Sequence, residues 1–210
     1  ALDQALYPNH PYARRTNREG IDAINRAALQ ERHRALLNRA TLQITDDGYR
    51  MLRDDFAAIF VGALGDPRVS DNRHARDILL GTRFELDLYV NYRPVRLLAD
   101  RLCPLKDRGR KDVNFVVFRE NTEGLYVSIG GRFKAGTVDE VAIQEEINTY
   151  KGVHRIIRHA FEYAKANGRK SVCMADKNNV MRFGGDLWVR TFEEVAREFP
   201  EIEHFHMFVD

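Results

Sequence analysis

Three arginines stand close together in the middle of the sequence. Arg83 and Arg93 lie ten residues apart, separated by the strand-like segment 86–90, and Arg119 follows a second apolar segment, 114–118. Arginine stays charged at any working pH, and its planar guanidinium donates two parallel hydrogen bonds to one carboxylate. Three guanidiniums carried by neighbouring strand ends would therefore form a site for a small molecule rich in carboxylates.

Five sequence blocks surround these arginines and extend beyond them. They are VGALGDP (61–67), TRFELDLYVNYRPVRLL (82–98), VVFRENTEGLY (116–126), ADKNNVM (175–181) and VD (209–210). Together, and in this order, they resemble the β-decarboxylating dehydrogenases, a family that includes isocitrate, 3-isopropylmalate, homoisocitrate and tartrate dehydrogenases. The resemblance covers about residues 45 to 210.

The resemblance implies an α/β, two-domain fold of the isocitrate/isopropylmalate dehydrogenase type. It assigns residues 1–88 to part of the large, cofactor-side domain, and residues 89–210 to the small domain with the substrate site. Residues 127–150 alternate apolar and polar residues around glycines, which predicts a hairpin with an exposed edge. In the family such a segment is a dimerisation arm, so we expect a homodimer. We also expect the fold to be incomplete in this chain, because the family's N-terminal glycine turn and its C-terminal part have no counterpart here.

The resemblance also implies roles for individual residues. Arg83, Arg93 and Arg119 match the family's substrate-binding arginines one by one. Tyr126 stands where the family has the acid that protonates carbon after carbon dioxide leaves. Lys177 stands where the family has its catalytic lysine, which we expect to remove the substrate's hydroxyl proton from the partner subunit's side of the site.

Residue type alone leaves other interpretations open for the same positions. An arginine serves a structural ion pair about as readily as a ligand, a tyrosine at a strand end packs more often than it catalyses, and Lys177 beside Asp176 would ordinarily be a surface residue. Asn91 is a weaker candidate for positioning a ligand. Glu120 directly follows Arg119, and we expect it to anchor that guanidinium.

Residues 70–80 correspond to the stretch that reads the substrate's distinguishing substituent in the family. Leu79 and Leu80 resemble the apolar pair of the isopropylmalate enzymes, although paired leucines near a helix end often belong to a core. Arg76 would instead suit a polar or anionic substituent. The resemblance thus implies oxidative decarboxylation of a malate-type 2-hydroxy acid, most similar to 3-isopropylmalate, with isocitrate, homoisocitrate or tartrate as alternatives. A non-catalytic dimerising or regulatory homologue is the competing class.

The family's cofactors are NAD or NADP and a divalent ion, Mg²⁺ or Mn²⁺. The aspartate of the closing VD, Asp210, matches a metal ligand of the family, and both ions prefer oxygen ligands. No residue is assigned to the nicotinamide cofactor, and the remaining metal ligands are not assigned either. His204 and His206 share a strand face, but the sequence offers no third ligand beside them.

Composition narrows the possible partners. The 210 residues include 33 basic and 31 acidic ones, a formal charge of +2, so no sequence-wide charge favours nucleic acid or a membrane surface. No apolar run approaches the ~20 residues of a membrane-spanning helix. Cys103 and Cys173 lack metal-ligand spacing. We expect a soluble, cytoplasmic protein.

The secondary structure that must position these residues follows from periodicity and caps. An apolar run without alternation, residues 57–64, predicts a strand buried on both faces, with a turn at 65–67. Helices are predicted at 20–39, after Thr45, at 151–167 and at 184–199. Further strands are predicted at 170–176 and 201–210.

Overall fold

The computed structural model describes residues 44–62, 64 and 77–209. The chain divides into two compact units, one formed by residues 1–46 and 58–79 and the other by residues 47–57 and 80–210. The second unit contains every strand that the structure describes. The helices are α1 (Asp46–Asp54), α2 (Thr82–Glu85), α3 (Tyr150–Ala166) and α4 (Arg182–Ala196). The strands are β1 (Val90–Arg96), β2 (Asn114–Glu120), β3 (Gly130–Phe133), β4 (Val141–Gln144), β5 (Ser171–Asp176) and β6 (Glu203–Phe208).

The strands form three two-stranded sheets, of which β1–β2 and β3–β4 are antiparallel and β5–β6 is parallel. In the first sheet Tyr92 pairs with Phe118, and both rings pack against Tyr163 of α3. Because successive strand residues point to opposite faces, Asn91 and its cross-strand partner Arg119 lie on the other face. This alternation turns Arg93 and Arg119 away from α3.

Helix α3 supports both β2 and β5 and forms the core with α4. Its N-cap is Thr149, whose side-chain Oγ1 accepts a hydrogen bond from Gly152 N at 3.0 Å. The Glu123 carboxylate accepts from the backbone N and the hydroxyl of Thr149, at 2.8 and 2.6 Å, and thereby ties the segment after β2 to this helix. The helix is followed by Gly168 at φ +62°, a conformation that favours glycine. The buried core comprises Val153, Ile156, Ile157, Phe161, Ala164, Met174, Phe192, Val195, Ala196, Phe199 and Ile202.

The structure confirms most predicted elements and corrects two. The segment 86–90 is not a strand, because only Val90 of it belongs to one, β1. The helix after Thr45, the two later helices, the strands 170–176 and 201–210 and the hairpin within 127–150 are present with shifted ends. The strand predicted at 57–64 is wrong over its described residues, which form no strand, and Phe60 is 96% exposed. Burial on both faces needs neighbouring strands, which an apolar run in the sequence does not specify. The helix predicted at 20–39, the turn at 65–67 and Arg76 lie outside the described residues.

No helix within the described ranges is long and apolar enough to cross a membrane.

Candidate functional site

The outer face of the β1–β2 hairpin carries a connected group of polar side chains. Asn91 and Arg119 are cross-strand neighbours, and Arg93 lies two residues further along the same face. Arg93 Nε donates to Asn91 Oδ1 at 2.5 Å. Asn91 Nδ2 and Arg119 Nη2 both donate to Asn121 Oδ1, each at 3.2 Å. One amide oxygen therefore links the two strands at the end where the arginines lie.

Tyr126 completes this group from the short 3₁₀ turn Leu125–Val127. Its hydroxyl accepts a hydrogen bond from Arg119 Nη1 at 3.0 Å. The guanidinium carbons of Arg119 and Arg83 lie 5.0 and 5.3 Å from the centre of its ring, within the range of cation–π attraction. The structure thus brings Arg83, Arg119 and Tyr126 into contact and connects Arg93 to them through Asn91 and Asn121.

The cluster holds positive charge and unused hydrogen-bond donors. Burial lowers the pKa of Arg83 from its ordinary value, and the charges of Arg119 and Arg93 act in the same direction, partly opposed by Tyr126 and Glu120. Arg83 Nη1 and Arg119 Nε are buried, and no described atom accepts a hydrogen bond from either. A buried donor left unpaired costs roughly 1–3 kcal/mol. An anion with carboxylate oxygens would satisfy both the charge and the donors.

Two expectations for this region are corrected. Arg83 lies in the four-residue helix α2 rather than at a strand end. Glu120 does not anchor Arg119, because consecutive strand residues point to opposite faces. Its carboxylate accepts instead from Thr122 N at 2.8 Å, Glu123 N at 2.6 Å and Arg155 Nη2 at 3.2 Å.

Asn121 is the polar residue that the sequence does not single out. It is 7% exposed, and besides accepting from Asn91 and Arg119 it donates from Nδ2 to the carbonyl of Leu88 at 3.1 Å. An asparagine directly after a strand is typical of a turn, so the sequence does not indicate that Asn121 links Asn91 and Arg119. The only signal in the sequence is its position, two residues after Arg119 and therefore next to that guanidinium.

A cleft of about 450 Å³ lies among β2, β5, α3 and α4. Arg119 and Tyr126 line it from β2 and the turn after β2, and Lys177 lines it from the end of β5. Lys177 is exposed, and its carbonyl accepts from Val180 N at 2.9 Å and Met181 N at 2.8 Å, which closes a turn. Arg83 and Arg93 are not among the lining residues. The predicted acid, Tyr126, and the predicted base, Lys177, therefore line the same cleft of one chain.

The residue before Lys177 is held by a histidine. Asp176 Oδ1 is 2.7 Å from His206 Nε2 and accepts from Asn178 N at 3.1 Å. These contacts join the end of β5, the lysine-bearing turn and the neighbouring strand β6. His206 is thereby engaged with a carboxylate rather than paired with His204, which instead lies 3.4 Å from Glu193.

Comparison with known proteins identifies the family to which these residues belong. The family model described as Isocitrate/isopropylmalate dehydrogenase matches residues 29–210. The chain belongs to this family. It is similar to the 3-isopropylmalate dehydrogenase of Streptomyces griseus, with 44% identity over 153 residues that span 73% of this chain and 44% of the relative. The corresponding enzyme of Mycobacterium ulcerans is 42% identical over 172 residues, 81% of this chain and 50% of the relative.

A solved structure of the family agrees with the fold. The crystal structure of isocitrate dehydrogenase from Methylococcus capsulatus is similar with a TM-score of 0.55 and 32% identity, over 72% of this chain and 41% of that one. The α/β fold of the isocitrate/isopropylmalate dehydrogenase type is therefore confirmed. The chain spans about half the length of the curated relatives that it matches.

The structure says less about the other predicted site residues, which are Leu79, Leu80 and Asp210. Leu79 and Leu80 belong to the π-helical turn Asp77–Gly81, where Leu79 is exposed and Leu80 half-buried. Leu80 falls in the same compact unit as Arg83 and precedes it by three residues, about one helical turn. Asp210 lies outside the described residues. Within the described ranges, no three histidine, cysteine or acidic side chains are grouped so that they could hold a metal ion.

Proposed function

We propose that this chain carries the substrate site of an NAD(P)-dependent dehydrogenase that oxidatively decarboxylates a malate-type 2-hydroxy acid similar to 3-isopropylmalate. The observation that carries the proposal is the contact of Arg83 and Arg119 with Tyr126, with buried donors on both arginines that lack an acceptor among the described residues. Family membership supplies the reaction class. The donor geometry supports a substrate with more than one carboxylate.

Binding is the first task of the arginines. Arg119 Nη1 donates to the Tyr126 hydroxyl and Nη2 donates to Asn121, whereas the buried Nε has no acceptor among the described residues and is available to a ligand. Arg83 also contacts the Tyr126 ring, and its buried Nη1 likewise has no acceptor among the described residues. A carboxylate held by both would lie beside the phenol and exclude water from it. Fixing the acid in one orientation removes much of the entropy cost of the later steps.

Proton transfer is the second task and falls to Lys177 and Tyr126. Lys177 removes the proton of the substrate's hydroxyl as the carbon is oxidised, and Tyr126 delivers a proton to carbon after carbon dioxide has left. A bound nicotinamide would supply the hydride acceptor, and a bound Mg²⁺ or Mn²⁺ would supply Lewis acidity at the ketone. The described residues do not by themselves provide a site for that ion, so the roles assigned to this chain are those of its side chains alone.

The apolar residue before the cluster favours an alkyl substituent. Leu80 precedes Arg83 by three residues, about one helical turn, and is half-buried. Both curated relatives carry the name 3-isopropylmalate dehydrogenase, which agrees with this preference. We infer a homodimer that pairs through the β3–β4 hairpin, because every residue of both strands is exposed. We also infer a cytoplasmic location, with which the free thiols of Cys103 and Cys173 agree.

Turnover by defined variants tests the assignment. The full chain is assayed with 3-isopropylmalate, isocitrate, tartrate and homoisocitrate, each with NAD⁺ and NADP⁺ and with Mg²⁺ present. We expect 3-isopropylmalate to be preferred, and Tyr126→Phe and Lys177→Ala each to lower kcat about 10²- to 10⁴-fold, the usual contribution of a general acid or base.

Two controls replace the same residue types elsewhere. Tyr150→Phe removes an exposed tyrosine that bonds Glu194, and Lys165→Ala removes an exposed ion pair with Glu201. Both should retain full activity. Near-normal oxidative decarboxylation by Tyr126→Phe and Lys177→Ala would refute the assignment. Tight binding of an acid by the wild-type chain without any turnover would favour the regulatory homologue.

A further inference from the structure

Arg155 of α3 occupies the centre of a polar network behind the arginine cluster. Its side chain is 18% exposed. Nη1 donates to both carboxylate oxygens of Asp87, at 2.9 and 2.8 Å. Nη2 donates to Glu120 Oε1 at 3.2 Å and to Thr122 Oγ1 at 2.7 Å. The guanidinium also lies 4.3 Å from the centre of the Tyr89 ring.

The partners of Arg155 belong to two separate segments, each of which carries part of the arginine cluster. Asp87 stands in the turn that connects α2, with Arg83, to β1. Glu120 is the last residue of β2 and directly follows Arg119. A single guanidinium thus joins the segment that positions Arg83 to the segment that positions Arg119. In the described residues, Arg155 is the one side chain that hydrogen-bonds both acidic groups.

The cluster needs such a connection because its members repel each other. The positive charge of Arg119 disfavours the charged form of Arg83, and like charges at short range push the segments that carry them apart. Burial works against the charge of Arg155, but its hydrogen bonds to Asp87 and Glu120 overcome that effect and raise its pKa. A partly buried guanidinium with several charge-assisted hydrogen bonds contributes more to stability than an exposed ion pair does.

We propose that Arg155 is a positioning residue: it holds Arg83 and Arg119 at the spacing that binds the substrate's carboxylates, without touching the substrate itself. This inference rests on the proposed function for its kinetic consequences. The geometric part, that loss of Arg155 lets the two arginines separate, stands without that function.

Arg155→Met tests the inference because methionine keeps an unbranched apolar side chain and removes all five donors. We expect the KM of the hydroxy acid to rise about tenfold or more, since a misplaced positioning group weakens the bound geometry, while the KM of the nicotinamide cofactor stays unchanged. Arg155→Lys keeps the charge but cannot bond both segments, so it should recover only part of the loss. A purely structural role would lower the melting temperature without separating the two KM values.

Arg158→Met is the matched control. Arg158 lies one turn further along α3, donates to both carboxylate oxygens of Glu198 at 3.0 and 2.8 Å, and also lies over an aromatic ring, that of Phe199. The substitution Arg158→Met removes an ion pair of the same helix that is comparable to that of Arg155 but does not involve β1 or β2. We expect no change in either KM. An equal rise of the substrate KM in both variants would overturn the inference.

A second readout does not depend on turnover. Phenylglyoxal labelling, followed by peptide mass spectrometry, reports the accessibility of Arg83 and Arg119 directly. Labelling of both should increase several-fold in Arg155→Met and in Asp87→Asn, and not in Arg158→Met. Asp87→Asn guards against misfolding, because this side chain is 61% exposed and asparagine tolerates the left-handed backbone there, φ +46°. Unchanged labelling would overturn the inference even if the enzyme proved active, and increased labelling would support it even if no substrate were turned over.

Discussion

The amide of Asn121 sets the arrangement of the arginine cluster at the scale of single atoms. Its oxygen accepts from Asn91 and Arg119, and its nitrogen donates to the carbonyl of Leu88. An amide can do this because it offers an acceptor and a donor from one planar group. The carboxylate of an aspartate, which has the same size, offers acceptors alone. An amide at position 121 can therefore bond Arg119 and the Leu88 carbonyl at the same time, which an aspartate cannot do.

Asn121→Asp should weaken binding of a dicarboxylate probe such as malate. The new carboxylate would compete for the guanidinium of Arg119 and would leave the Leu88 carbonyl without its donor. Hydrogen bonds to charged groups contribute about 1.5–3 kcal/mol, so we expect the affinity for malate to fall at least about tenfold, measured by calorimetry. Asn167→Asp, at the exposed end of α3, is the control and should bind malate normally. An unaltered affinity in Asn121→Asp would show that the amide does not orient the site.

The sequence predicts those site residues that belong to a recognisable motif. Arg119 is predicted at the end of a strand and lies next to the last residue of β2, whereas Arg93 is predicted beyond a strand at 86–90 and lies in the middle of β1. Asn121 escapes prediction because its role requires the antiparallel register of β1 and β2, which places Asn91 directly opposite Arg119. Register depends on pairing across the sheet, and a single sequence does not state it.

At the scale of elements, the end of β5 and its neighbour β6 fix the turn that carries Lys177. His206 Nε2 contacts Asp176 Oδ1, and the same oxygen accepts from the backbone of Asn178. An aspartate that bonds the backbone two residues ahead stabilises a turn. The strand β6 therefore acts on the position of Lys177 through a hydrogen bond to the residue before it.

His206→Phe should loosen this turn, and His206→Gln should preserve it. Phenylalanine keeps a ring beside Phe208 but removes the nitrogen that bonds Asp176, whereas the glutamine amide can reach the same carboxylate. We expect His206→Phe to lower kcat about tenfold with little change in the substrate KM, because the loss concerns the proton-transfer geometry. Hydrogen exchange of residues 177–181 should accelerate in parallel. His204→Phe on the same strand is the control, and an equal loss of kcat there would contradict the proposed route through Asp176.

Helices and strands can be predicted from the sequence when caps and periodicity within the segment itself specify them. The helix α3 has a capping threonine, an apolar face at helical spacing and a glycine after its end, and all three are local. The strand expected at 57–64 has only an apolar run, which specifies burial but not the neighbours that would provide it. The helix α2 is four residues long, too short to show a helical period, so the sequence places Arg83 at the end of a strand instead.

At the scale of the whole molecule, the family assignment rests on blocks that are spread over both compact units. The matched range, residues 29–210, extends beyond the described residues at its start. The division into a cofactor-side domain of residues 1–88 and a small domain of residues 89–210 stays a prediction. The arginine cluster and the cleft involve residues 80–209 only. Their geometry therefore holds independently of how the two units are arranged.

The hairpin β3–β4 exposes both of its strands within the described part of the chain. All eight of its strand residues are exposed, and Phe133 and Ile143 are apolar with 65% and 55% of their surface accessible. An exposed two-stranded ribbon is at best marginally stable alone. Pairing with the same ribbon of a second chain would cover these residues and bring two copies of the arginine cluster into one assembly.

Mixing two inactive variants tests whether the reaction is shared between the chains of such a dimer. Suppose that each active site uses Tyr126 of one chain and Lys177 of the other. A dimer of one Tyr126→Phe chain and one Lys177→Ala chain then has one site with both residues intact and one site with both replaced. Random reassociation makes half of the dimers hybrids, so we expect activity to return to about a quarter of the wild-type value after unfolding and refolding of the mixture. If both residues act within the cleft of one chain, each site of the hybrid keeps a lesion and no activity returns. Each variant refolded alone is the control, and a mixture as inactive as these would place catalysis within a single chain.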